Sequence, residues 1–234
     1  MNLLLKIKSC NKITLLSMGI LFIFFVASVF PNLLANYNPN ELHPNDAFQP
    51  PSTKYFLGTD DLGRDIWSRV IYGSQIAILI SVSAMFVSIL IGVPLGLLAG
   101  MRKGIIDGFV MRTMDGILAF PEILFAILLV AAFGASIFTI ILVMAIVYIP
   151  RFARLTRGNV LVLKEREFVL ASQALGASDL RIVMKCMLPN TFSIILVQAS
   201  IGMAFTILLE AALSYLGMGV QPPTATWGTM LRNA

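Results

Sequence analysis

Charge is scarce in this sequence, and the residues of metal and redox chemistry are scarcer still. Only 12% of the 234 residues are charged, against roughly a quarter in soluble domains. There is one histidine, His43, and there are two cysteines, Cys10 and Cys186, with no CxxC pair and no HExxH stretch. That excludes the common zinc spacings, and no metal or cofactor is expected. A GxxxxGK[ST] phosphate loop is also missing, so the chain is not expected to hydrolyse ATP alone. No residue is assigned a catalytic role.

Apolar sequence is what remains. Hydrophobic residues make up 58% of the chain and the mean hydropathy is +0.87. Runs long enough to cross a bilayer as helices are read at residues 13–34, 71–99, 104–133, 137–152 and 191–213. The third begins as a mixed-polarity stretch near Gly104 and turns apolar at Gly116. The expected fold is all-α, a polytopic helical membrane protein with about five transmembrane helices. Lys6, Lys8 and Lys12 precede the first run, as in a signal peptide. That run is about twenty residues, longer than an h-region, and no A-x-A-like site ends it, so it is read as a retained anchor.

Basic residues give the orientation. If the segments alternate, Lys6, Lys8 and Lys12, then Arg102, Lys103 and Arg112, then Arg151, Arg154, Arg157, Lys164, Arg166, Arg181 and Lys185 share one side. The opposite side holds Lys54, Arg64, Arg69 and Arg232. The positive-inside rule then places the N-terminus and the loop around Glu165 in the cytoplasm, and the loop after residue 36 outside. The net charge of +5 reflects this bias, and no nucleic-acid partner is expected. Both cysteines fall on the cytoplasmic side, so no structural disulfide is expected.

The loop 165–190 is polar and set between two apolar segments. It reads as two short helices broken at Gly176. Residues 167–175 are helix formers, Gly176 suits the position after a helix end, and Ser178 or Asp179 can cap the next helix. Ala171 and Ala174 keep such a knob slim, and Phe168 and Leu175 offer apolar contact. Arg166, Arg181 and Lys185 can pair with acidic groups or anionic lipid. Glu167, Ala177, Leu188 and Pro189 complete the surface.

This loop resembles the EAA loop of ABC-importer permeases: E-A-A, three residues, Gly, nine residues, Ile, one residue, Leu-Pro. Leu170, Ala171 and Ser172 stand at the first three positions, Gly176 at the glycine, Cys186 at the isoleucine, and Leu188 and Pro189 at the end. Leu170, Ser172 and Cys186 depart from the pattern. LGTDDLGRDIWSRVIYG (57–73), RTMDGILAFP (112–121), PRFARLTRGNVL (150–161) and LSYLGMGVQPPTATWG (213–228) extend the resemblance over nearly the whole chain. Together they are similar to the C-type permease of dipeptide, oligopeptide and nickel importers.

The resemblance implies a type I importer permease in a bacterial cytoplasmic (inner) membrane. Its partners would be a second permease in a heterodimer, two cytoplasmic ATP-binding subunits, an extracytoplasmic substrate-binding protein and the lipid bilayer. Loop 165–190 would dock on the ATPases, and the cargo would be a short peptide or a nickel chelate. The organisation it implies is a tail and first helix (1–35), an outer loop (36–70) and a permease core (71–234) with a coupling loop at 157–190. The family has a sixth helix after the Trp227-Gly228 pair, so the chain reads as a fragment or a truncated frame.

Other acids and glycines carry alternatives. Asp60, Asp61 and Asp65 lack the EF-hand spacing. They are read as structural, with Thr59 or Asp60 capping a short helix and Arg64 and Arg69 as partners. Glu122 lies deep in apolar sequence, where it either lines a pathway or caps the helix restarted by Pro121. Glu210 is a pathway candidate too, but near the outer end of its span it is read as a structural residue reaching the interface. Asp115 is expected to pair with Arg112 at the interface. Gly92, Gly96 and Gly100 are read as a packing face rather than a gate, with Pro94 interrupting their span.

Two other classes compete. An intramembrane enzyme would use the GASI stretch (134–137), which resembles a rhomboid nucleophile turn, but the one histidine lies in the outer loop. A secondary transporter or channel working without ATPases would use Glu122 and Glu210, but would have no evident need of a long basic loop.

Overall fold

The computed structural model of the chain describes residues 12–102 and 104–234. Lys6, Lys8, Cys10 and Lys103, which carry part of the charge reading, lie outside the described residues. Among the described residues there are helices and no strands. In chain order they are α1 (Lys12–Val29), α2 (Pro31–Leu34), α3 (Ile66–Met101), α4 (Ile105–Leu118), α5 (Glu122–Phe133), α6 (Ile137–Leu163), α7 (Glu167–Ala174), α8 (Asp179–Ile182), α9 (Leu188–Tyr215) and α10 (Trp227–Asn233).

Four stretches among the described residues are long and apolar enough to cross a membrane: α1, α3, α6, and the continuous Asp179–Tyr215 helix. Helices α4 and α5 add a fifth if counted as one span, but an 89° bend divides them. The sequence reading takes residues 104–133 as one span and offers a helix restart at Pro121 as one alternative; the structure has that restart, with a sharp bend. Pro121 cannot donate a backbone hydrogen bond, and it disfavours helical geometry at Phe120, so the chain turns there. Pro94 has no such effect and lies inside the 36-residue α3. At 1.5 Å per residue α3 is about 54 Å long, well beyond the ~30 Å hydrocarbon core.

The described residues form two compact units, one made of those up to Ile78 together with Pro222–Ala234 and the other of those within Leu79–Gln221. In the first, indole and guanidinium donors fix the loop between α2 and α3 to the start of α3. Trp67 Nε1 donates to Leu34 O at 2.8 Å, and Arg69 Nη1 to Pro39 O at 2.9 Å. Trp227 Nε1 donates to Val70 O at 3.0 Å. Neither Thr59 nor Asp60 caps a helix, contrary to the sequence reading. Asp65 does so, its Oδ2 accepting from Ser68 N at 2.9 Å. Asp60 instead closes the turn before it, accepting from Arg64 N at 2.9 Å and Arg64 Nε at 2.6 Å. The expected cation partners do converge on it, with Arg69 Nε at 3.7 Å.

In the second unit α6 is the hub, packing against α4, α5 and α9. Its Ile140, Met144, Tyr148 and Phe152 are fully buried. The stretch of α3 in this unit reaches α6 through Gly92, Gly96 and Gly100. A Cβ at Gly96 would fall 2.4 Å from Ala153 O, and one at Gly100 2.7 Å from Val160 Cβ. The expected packing face therefore exists, and its partner is this chain's own helix. Ser88 Oγ donates across the same contact to Ala145 O at 3.0 Å. At its end Lys164 Nζ donates to Gly100 O and Met101 O at 2.9 and 2.8 Å, filling carbonyls that a helix terminus leaves open.

Candidate functional site: an exposed helical knob and an arginine ladder

The break at Gly176 is a Schellman turn. Ala177 N donates to Ser172 O at 3.0 Å and Gly176 N to Gln173 O at 2.9 Å, the 6→1 and 5→2 bonds of that motif. Gly176 has φ +79°, and a Cβ there would meet nothing within 4 Å. The backbone, not crowding within the chain, is what calls for glycine. Ser178, rather than Asp179, caps α8, its Oγ accepting from Arg181 N at 3.4 Å.

Glu167 opens α7, and Phe168, Ala171 and Ala174 lie exposed along it. Leu175 at its end is 88% exposed and Leu180 on α8 is 72% exposed. Asp179 lies 3.7 Å from Arg102. Ser172 is half-buried, and its Oγ donates to Phe168 O at 2.8 Å. The knob is held by Val169, Ile182 and Met187, all buried. Sequence reading had passed over these three. Their signal was slight: each sits in a short apolar run (168–170, 182–184, 186–188) whose buried member local sequence does not single out.

Leu188 and Pro189 do not end the loop, as the reading had them. Helix is continuous from Asp179 to Tyr215, with a π turn at Val183–Met187 in which Leu188 N donates to Val183 O. Pro189 has no N–H to give, and a π turn is a common accommodation of such a gap. Neighbouring side chains fill the remaining carbonyls. Asn190 Nδ2 donates to Cys186 O at 2.7 Å and Thr191 Oγ1 to Met187 O at 3.1 Å.

A second constellation lies along α6. Arg151, Arg154 and Arg157 recur every third residue and meet, in reverse chain order, Glu122, Asp115 and Asp107. Arg157 binds Asp107 with two donors, Nη2 to Oδ2 at 2.6 Å. Asp115 therefore pairs with Arg154, not with Arg112 as expected. Glu122 opens α5, consistent with a helix start, and pairs with Arg151. The spacing of the arginines was visible in sequence, but not their partners, which lie 29 to 50 residues away.

Glu210 does not reach an interface. It is 3% exposed, and Ser214 Oγ donates to its Oε1 at 2.7 Å. A buried carboxyl with a hydroxyl partner is an uncommon arrangement in an apolar helix.

Residues 92–234 match the profile of the binding-protein-dependent transport system inner membrane component. The chain belongs to this family. The family stretch takes in the α6 ladder and the knob. The family and the apolar helices together make this a multi-pass inner membrane protein. The di/tripeptide transport system permease protein of Pseudomonas aeruginosa is 40% identical over 224 residues, covering 92% of this chain and 74% of that protein. The oligopeptide transport system permease protein of Bacillus subtilis is 40% identical, covering 94% and 72%. The glutathione transport system permease protein of Escherichia coli is 42% identical, covering 91% and 70%. These relatives of the inner membrane component are permeases by name, not enzymes.

Proposed function

We propose that the chain is one of two permease subunits of an ATP-driven importer of short peptides. It works with two cytoplasmic ATPases and an extracytoplasmic binding protein, and its N-terminus lies in the cytoplasm. The relatives cited are named for peptides or glutathione, which favours a peptide cargo over a nickel chelate. The knob formed by α7 and α8 is the surface on which an ATPase docks.

One observation carries this reading. The knob turns Leu175 and Leu180 outward on a frame closed by the Gly176 turn and the Ser178 cap. Exposed apolar tips on an ordered turn, flanked by Arg166 and Arg181, suit a groove on a partner protein. Glu167, Phe168, Ala171, Ala174 and Asp179 supply the rest of the contact. The positions of Ala177 and Pro189 hold the frame.

The test is recovery of the tagged chain in mild detergent, followed by uptake in proteoliposomes. A second permease and two ATPases should copurify, and peptide uptake should require ATP. Uptake that proceeds with the chain alone and without ATP would make it a secondary transporter.

A further inference from the structure

One rung of the ladder differs from the other two. Glu122 lines a cavity of about 570 Å³ at the bend between α4 and α5, whereas Asp115 and Asp107 do not. The other walls include Ile117, Phe120, Phe125, Val147 and Leu209. The volume falls within the roughly 300–1,000 Å³ of small-molecule sites. Arg151 is not a wall of the cavity but is bonded to Glu122, which is, and the two keep 31% and 38% of their side-chain surface exposed, so the pair stands at the cavity's edge.

Each partner is held by more than the other. The Arg151 guanidinium carbon lies 4.8 Å from the centre of the Tyr148 ring, a cation–π contact that keeps it in place when the ion pair opens. Glu122 is the first residue of α5, where the helix dipole favours its negative charge. The pair can therefore part without either charge losing all its support.

A neutral pair set among apolar walls selects by charge. A ligand with a single charge would take one partner and strand the other, at a desolvation cost. A ligand with both charges satisfies both. Its ammonium meets the Glu122 carboxylate, and its carboxylate meets the two-pronged guanidinium of Arg151. The apolar walls then receive side chains of varied identity.

We propose that this elbow cavity is a transit site for short zwitterionic peptides, in which Glu122 takes the amino end and Arg151 the carboxyl end. The proposal rests on the peptide-permease reading above and names the part of the cargo that this subunit recognises.

The experiment uses the complete importer in proteoliposomes, with radiolabelled Ala-Ala as the transport probe and a benzophenone-bearing dipeptide as the photolabel. In Glu122→Gln/Arg151→Gln, Ala-Ala uptake should fall at least tenfold while ATP hydrolysis stays within twofold of wild type. Asp107→Asn/Arg157→Gln removes a rung away from the cavity, and its uptake per assembled complex should stay within twofold. In the unmutated importer, the photolabel should fall on residues 117–125 and be competed by Ala-Ala. That labelling decides the matter even if the double variant fails to assemble. Unchanged uptake in Glu122→Gln/Arg151→Gln, equal loss in both doubles, or label confined to other segments would overturn the proposal and leave the permease reading standing. Absence of any peptide uptake by the wild type would remove that reading, and this proposal with it.

Discussion

The Oγ of Ser172 lies 3.8 Å from the Sγ of Cys186, across 14 residues of sequence. These are two of the three positions at which loop 165–190 departs from the EAA pattern, and the fold brings them together. A serine in place of alanine adds an atom where a cysteine in place of isoleucine removes bulk. At this contact the added hydroxyl and the smaller side chain offset one another in volume.

Restoring one side alone should be worse than restoring both. Cys186→Ile should overpack against Ser172 and cost about 1 kcal/mol. Ser172→Ala/Cys186→Ile should recover most of that, with a coupling of at least ~0.5 kcal/mol. Thermal unfolding of the four proteins in detergent checks this, and additive effects would reject the compensation.

Gly176 separates backbone strain from docking. Its φ of +79° penalises any side chain, while the space around a Cβ is open within the chain. Gly176→Ala and Gly176→Arg should therefore lose similar stability, about 1–2 kcal/mol. Only the arginine reaches far into a partner's space. ATPase recovery should survive in Gly176→Ala and vanish in Gly176→Arg. Equal recovery from the two would mean that no partner sits against this turn.

Glycines in this chain should differ sharply in tolerance. A Cβ at Gly96 would fall 2.4 Å from the backbone oxygen of Ala153, whereas one at Gly108 meets nothing within 4 Å. Gly96→Leu should force α3 off α6 and cost about 1–3 kcal/mol or more. Gly108→Leu lies in a helix with room around it, and should be neutral or better, since leucine favours helix by up to ~1 kcal/mol over glycine. Melting temperatures compared side by side test the pair.

The loop between α2 and α3 should resist mild acid. Asp46 accepts hydrogen bonds from Lys54 Nζ at 2.8 Å and Tyr55 Oη at 2.7 Å. The Lys54 hydrogen bond, then the Tyr55 one, holds its carboxyl below the ordinary value of 3.8. A lowered carboxylate contributes its stabilisation above the unfolded value and loses it as pH falls through the folded one. Proteolysis of the loop should therefore stay flat from neutral pH down to about 4 and rise only below that. In Asp46→Asn the rate should be raised at all pH values and lose its acid limb. An acid limb that persists unchanged would show that another group controls the loop.

Legibility from sequence followed the range of the interaction. Ser178 and Gly176 were readable because a cap and a Schellman turn are settled within a few residues. The cap of α3 was not, because Thr59, Asp60 and Asp65 all have capping chemistry and only the fold decides which one faces the first turn. Two prolines show the same limit. Pro94 sits in a helix whose neighbours Gly92 and Gly96 are pressed against α6, and the helix persists. Pro121 stands where the chain turns, and the helix breaks. Glu210 was read as reaching an interface, yet tertiary burial placed its carboxyl against Ser214.

By itself, the sequence determined that the chain is built of apolar helices, that basic residues concentrate in particular connections, and that a glycine-broken knob stands between the last two long apolar segments. Those properties come from composition, periodicity and local backbone preference. Only the tertiary structure decided that Arg151, Arg154 and Arg157 meet Glu122, Asp115 and Asp107, and that the first of these pairs borders a cavity. Ion pairs in an apolar setting are chosen by which helices pack side by side, and packing depends on close approaches such as Gly96 to Ala153 that no local stretch of sequence specifies.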